Sequence, residues 1–194
     1  MFKNIVAIAV LTITTVLSGC SGIPRSDQYG PLTSENADNS VDIGSYVQWN
    51  EDYAVTAKHI ENVKDVVYVS EKYDLKFFKH KSKNPLVWVD AKPNEPLVSK
   101  GFPHYPQRRK ENVLTAYSVD VQIILYKQPN YALMDTMLVR GMSGGPVLNL
   151  NNEVVGINIG YTNEKYKVGD KNQEFSVYLS YKGIQEEWNK FAKQ

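Results

Sequence analysis

The chain has 194 residues, with 22 Lys and Arg against 21 Asp and Glu, and 42% of it is apolar. That length admits one domain with a core of its own, and the balanced charge without a basic tract excludes an electrostatic binder of DNA or RNA. The single cysteine, Cys20, excludes an intrachain disulfide, and the absence of H-E-x-x-H or any Cys/His cluster gives no reason to expect a metal or cofactor.

In chain order, residues 1–19 open with Lys3 and run into an apolar stretch, Ile5 to Leu17, interrupted only by threonines. The stretch is too short to span a bilayer comfortably and suits a signal-peptide core. It ends in Leu17-Ser18-Gly19-Cys20, which resembles the lipobox of bacterial lipoproteins. The resemblance implies cleavage before Cys20 and its acylation, and several acyl chains together anchor stably where one is marginal. Ser21 resembles the signal for outer-membrane retention, so a lipoprotein of the bacterial envelope facing the periplasm is expected. Removing Lys3 with residues 1–19, which hold no acid, leaves the mature chain formally neutral.

Residues 20–40 are the lipidated terminus followed by a polar stretch rich in Ser, Asn, Asp, Gly and Pro, and are expected to be a flexible tether. Residues 41–194 then form one domain. Ser45–Trp49, Tyr53–Thr56, Val66–Ser70, Leu75–His80, Pro96–Lys100, Val113–Tyr126, Tyr131–Val139, Pro146–Leu150, Val154–Tyr161 and Phe175–Ser180 are short runs rich in Val, Ile, Tyr and Phe, mostly separated by turn formers. Asn151-Asn152 marks a hairpin. Ile184, Trp188 and Phe191 recur at i, i+4 and i+7, which predicts one terminal helix. The chain is expected to be all-β apart from that helix.

Two motifs carry chemistry. Gly141-Met142-Ser143-Gly144-Gly145-Pro146 places a serine in a glycine-rich turn, and Val55-Thr56-Ala57-Lys58-His59 places a histidine after a short apolar strand. A serine hydroxyl needs a base to take its proton, and the anion formed on attack needs fixed donors. Glycines let the backbone aim its N–H groups at that anion. Together the motifs resemble the trypsin-like (chymotrypsin-fold) serine proteases. Gly141 to Tyr161 is especially similar to bacterial Deg-type proteases and, less closely, to glutamyl endopeptidases. The resemblance implies two six-stranded-type antiparallel β-barrels with a short C-terminal helix.

It also implies roles. Ser143 is the nucleophile, His59 the general base, and the amides of Gly141 and Ser143 the oxyanion hole. Of the other histidines, His80 sits between Lys79 and Lys81 in what reads as a solvated setting, and His104 follows Gly101-Phe102-Pro103 in a loop. Asp74, opening an alternating strand, is the third triad member, although only fifteen residues separate it from His59. The alternatives are Asp90 or Asp65, Asn84 at the aspartate position, or no carboxylate at all. Met142 stands where many secreted relatives carry an aspartate that pairs with a new N-terminal amine, so activation by that route is not expected.

The resemblance also implies a substrate pocket whose floor falls on Met137 and whose wall falls on Asn158, Ile159, Gly160 and Tyr161. With no acid on the floor and no histidine at 158, a small or medium apolar side chain is the expected preference. The expected function is a monomeric, lipid-anchored serine endopeptidase acting on proteins or peptides through a Ser-His-Asp triad and an acyl-enzyme. The competing expectation is a weak or inactive protease-fold lipoprotein that binds or excludes other molecules in the envelope.

Overall fold

The computed structural model describes residues 27–35, 41–103, 110–119, 128–162, 165–168 and 171–194. Cys20 and His104 lie outside them. Tyr29–Glu35 (β1), Val41–Gln48 (β2), Tyr53–Thr56 (β3), Val66–Val69 (β4) and Lys76–Lys79 (β5) form an antiparallel sheet in the order β1-β2-β3-β5-β4. The second lobe adds Pro96–Gly101 (β6), Asn112–Val119 (β7), Tyr131–Met134 (β8), Pro146–Asn149 (β9), Val154–Tyr161 (β10), a small hairpin of Tyr166–Val168 (β11) with Lys171–Gln173 (β12), and Ser176–Ser180 (β13). Six of these close into a barrel in the order β10-β13-β8-β7-β6-β9. Helix α1, Tyr181–Phe191, ends the chain.

Alternation builds the barrel. Along β6, Leu97, Ser99 and Gly101 are buried while their neighbours are half-exposed, the period expected of a strand with one face inward. Leu97, Ala116, Met134, Val147, Val155 and Tyr178 share one core cluster. The Asn151-Asn152 hairpin joins β9 to β10 as expected. Asn149 Oδ1 accepts from the amides of Asn151 and Glu153, both at 3.0 Å, and Asn152 adopts φ 61°, a left-handed turn that asparagine tolerates.

The terminal helix folds back onto the first lobe. Ile184 is fully buried, and the Trp188 ring lies 5.2 Å from Phe77 and 5.8 Å from Trp49, while Phe191 meets Tyr53 at 5.7 Å. A single buried cluster therefore joins Val47, Val55 and Phe77 of the first lobe to Ile157 and Leu179 of the second and to Ile184. This shared core fixes the lobes against each other.

Three details differ from expectation. The first lobe is a five-stranded antiparallel sheet rather than a six-stranded barrel among the described residues. Strand β1 falls inside the stretch read as a tether, and it pairs with β2 along its whole length, from Tyr29 opposite Val47 to Glu35 opposite Val41. An edge strand held by backbone bonds needs few apolar side chains, so composition alone hides it. Strand β8 stops at Met134, where the Asp135 carboxylate takes the Tyr117 amide in place of a backbone carbonyl while the Asp135 amide still donates to the Tyr117 carbonyl.

Candidate active site

His59 follows β3 in a turn, its strand anchored by the fully buried Val55, Thr56 and Ala57. Asp74 clasps it twice. Oδ1 accepts from the His59 backbone amide at 2.9 Å, and Oδ2 lies 2.7 Å from Nδ1. An ionised carboxylate only accepts, so Nδ1 carries a proton, and in the neutral ring this leaves Nε2 with the lone pair. Burial pushes the Asp74 carboxyl up, but the hydrogen bonds and charge of His59, with the backbone amide of Lys58, outweigh it and hold the group below the usual aspartate value. Asp74 is thus the carboxylate that meets His59, rather than Asp65 or Asp90, both of which are exposed, or Asn84.

The short fifteen-residue gap is bridged by a compact turn. Ser70 Oγ accepts from the amides of Lys72 and Tyr73, and the Ser70 amide bonds the Leu75 carbonyl at 3.1 Å. Strand β4 therefore runs straight into the aspartate. Two braces hold the turn: Lys58 Nζ donates to the Ser70 carbonyl, and the Tyr131 hydroxyl of the second lobe accepts from the Asp74 amide at 2.8 Å.

Ser143 lies in the turn before β9. Gly141 and Gly144 take φ of +98° and +82°, a region that side chains resist. At Gly144 the reason is also space, since a Cβ there would meet the Ser45 carbonyl and Thr56 Oγ1 at 2.2 Å. The serine turn therefore presses against the strand end that carries His59. Nearly every polar backbone group of this turn has a partner. Met142 N–H donates to Val139 (3.0 Å), Gly144 N–H to Asn158 (2.7 Å) and Gly145 N–H to Met142 (3.0 Å), while the Ser143 carbonyl accepts from Ser45 N–H at 2.7 Å. Among the described residues, the amides of Gly141 and Ser143 alone in this turn find no protein acceptor. The Ser143 hydroxyl donates to the Ile159 carbonyl at 3.1 Å, not to His59.

The pocket residues are not equivalent. Met137 and Tyr161 are exposed, at 40% and 58%, and a Cβ on Gly160 would meet nothing within 4 Å. Ile159 packs partly into the core. Asn158 is a correction: it is fully buried, Oδ1 accepting from Ser99 Oγ at 2.7 Å and Nδ2 donating to the Lys100 and Met142 carbonyls. It braces the serine turn from behind and lines no open wall. His80 is a second correction. It is half-buried rather than solvated, with Nδ1 on Gln48 Oε1 at 2.7 Å and Nε2 on the Tyr46 hydroxyl at 3.1 Å, and burial lowers its pKa. Both nitrogens are occupied away from the serine turn.

Sequence reasoning missed Ser45 and Tyr131. A serine or tyrosine acting on a backbone group of the opposite lobe leaves no local motif. The one available signal was Ser45 itself, a small polar residue in a strand whose neighbours pack a core.

With this geometry in place, the lineage follows: residues 6–157 match the trypsin-like peptidase domain family, and the chain belongs to it. No curated protein matches. Among solved structures it is similar to the active form of the Rv3671c protease from M. tuberculosis, at TM-score 0.64 and 19% identity over 86% of this chain and 81% of that one. It is also similar to a serine endoprotease from Yersinia pestis (TM-score 0.65, 14% identity, 87% and 64% covered) and to an HtrA-type protease solved with a tripeptide (0.61, 16%, 83% and 58%). At these identities the likeness shows a shared fold, that of the HtrA/Deg-type serine proteases.

Proposed function

We propose that the protein is a serine endopeptidase in which Ser143 is the nucleophile, His59 the general base and Asp74 its orienting carboxylate. The observation that carries this reading is the double clasp of Asp74 on His59, which fixes the ring's tautomer. Nε2 takes the proton of Ser143 Oγ as that oxygen bonds to the scissile carbonyl carbon. The carbonyl oxygen becomes an anion and accepts from the amides of Gly141 and Ser143, the two left without partners. The C–N bond then breaks as Nε2 returns its proton to the departing amine. A water, deprotonated by the same nitrogen, attacks the ester carbon and releases the acid and the free serine.

One observation favours the alternative of a protease-fold protein that binds without turnover: the Ser143 hydroxyl points at Ile159. Rotation about its Cα–Cβ bond re-aims it, and catalytic bonds are often loose before substrate arrives. In this reading the protein acts at the bacterial envelope, as a monomer on protein or peptide substrates, held to the membrane by lipid on Cys20. The exposed Met137 and Tyr161 support a preference for apolar side chains.

Hydrolysis of unfolded casein by the full chain tests the proposal. Turnover in the wild type that disappears in both Ser143→Ala and His59→Ala supports it. Casein left intact by the wild type, or cleaved equally by Ser143→Ala, refutes it.

A further inference from the structure

Ser45 sits in β2 of the first lobe with no exposure at all, yet its hydrogen bonds reach into the serine turn of the second. Its backbone amide donates to the Ser143 carbonyl at 2.7 Å. Its hydroxyl donates to the Gly141 carbonyl at 2.8 Å and accepts from the Phe102 amide at 2.9 Å. Its own carbonyl accepts from Thr56 Oγ1 at 2.7 Å, three positions before His59. One residue thus binds both carbonyls that flank Met142 and Ser143 and ties them to the strand bearing the base.

The placement has a consequence for the oxyanion donors. Gly141, at φ +98°, has no side chain to restrict rotation of its two peptide planes. The plane after it is held at two points, by Ser45 Oγ on the Gly141 carbonyl and by the Val139 carbonyl on the Met142 amide. Met142 itself is buried and apolar, so its side chain offers no ionic hold on the turn; Asn112 Nδ2 touches its sulfur at 3.5 Å. Without the Ser45 hydroxyl, the Gly141 carbonyl keeps no polar partner among the described residues, and only the Met142 amide still holds that plane, so the glycine turns more freely. Its N–H lies in the preceding Arg140–Gly141 peptide, which pivots on the same Cα, so a loosened glycine aims that N–H less firmly at the place where the anion forms. Donors preorganised for that charge are what lower the barrier, so a donor that wanders loses most of its effect.

We infer that the Ser45 hydroxyl is a positioning group for the oxyanion hole, holding the Gly141–Met142 peptide so that the Gly141 amide stays aimed at the developing anion. This rests on the serine-peptidase reading above and adds to it a device in the first lobe that sets the hole in the second.

The test uses the full chain, a p-nitrophenyl ester as substrate, and a peptidyl trifluoromethyl ketone with a small apolar side chain. The ketone adds Ser143 Oγ to its carbonyl carbon, and the pKa of the resulting hemiketal oxyanion, read by ¹⁹F NMR, reports the strength of the hole. For Ser45→Ala the expected result is a hemiketal pKa raised by about one unit or more and kcat lowered about 10- to 100-fold, with KM nearly unchanged. Ser45→Cys, which keeps a weak donor, should fall between, and it carries the test alone should the alanine variant not fold. A hemiketal pKa equal to the wild type in the folded variants overturns the inference, as does a loss of activity that only tracks the folded fraction. If the wild type forms no hemiketal and hydrolyses no ester, the peptidase reading itself has failed.

Discussion

Asp74→Asn isolates the clasp on His59. In the wild type both carboxylate oxygens accept, one from the His59 amide at 2.9 Å and one from Nδ1 at 2.7 Å. Asparagine has one acceptor and one donor on that end. The backbone amide can only donate, so the asparagine oxygen must serve it, and the NH₂ group then faces Nδ1. Two donors cannot share that bond, so the ring proton moves to Nε2, the nitrogen that should receive the Ser143 proton. The base is lost while the shape is kept, and kcat should fall about 10⁴-fold, equivalent to about 5 kcal/mol of barrier. Ester hydrolysis measured beside a thermal melt separates chemistry from folding. Activity within about tenfold of the wild type would refute the tautomer argument. Stability should respond to acid as well. Because the folded Asp74 pKa is lowered, the ionised group stabilises the fold above its unfolded value, near 3.9, and that stabilisation is lost as pH falls through the folded value. The melting-temperature gap between wild type and Asp74→Asn should therefore narrow on acidification. A gap that widens contradicts the sign.

Three other perturbations probe the scaffold and the anchor. Tyr131→Phe removes the acceptor of the Asp74 amide; it should cost about 1–3 kcal/mol in denaturant melts and lower kcat far less than Asp74→Asn does. An unchanged melt would show that the tyrosine braces nothing. Gly144→Ala places a Cβ 2.2 Å from the Ser45 carbonyl and Thr56 Oγ1 at φ +82°, so destabilisation above about 4 kcal/mol or loss of folded protein is expected; a wild-type melt contradicts the packing described. Cys20→Ser should shift the protein from the detergent phase to the aqueous phase in a partition assay, and retention in detergent would remove the lipid anchor from the account.

The proposed nucleophile and base stood out in the sequence because their chemistry calls for local motifs: glycines on both sides of Ser143, and His59 at the end of an apolar strand. Asp74 was legible only through its neighbours, since the Ser70 turn that carries it to His59 depends on hydrogen bonds rather than on composition. Features set by contacts between lobes left no trace. Ser45 acts on Gly141 across 96 positions and Tyr131 on Asp74 across 57. His80 was misread from its flanking lysines, because the groups that cover it, Tyr46 and Gln48, come from β2. Asn158 was misread for the opposite reason: its place beside the pocket in sequence hides that both faces of β10 are covered from Val154 to Asn158, so its amide is buried as well. Strand β1 shows the same limit, since its bonds to β2 are made by backbone atoms that all residues share.

The most direct measurement is covalent. The full chain is treated with a fluorophosphonate, digested, and the modified peptide identified by mass spectrometry. One phosphonyl group on Ser143, absent in Ser143→Ala and formed at least about 10³-fold more slowly in His59→Ala, is the predicted result. An unmodified Ser143 peptide from folded wild-type protein, or modification that proceeds equally fast without His59, would contradict the claim that this serine is activated by that histidine.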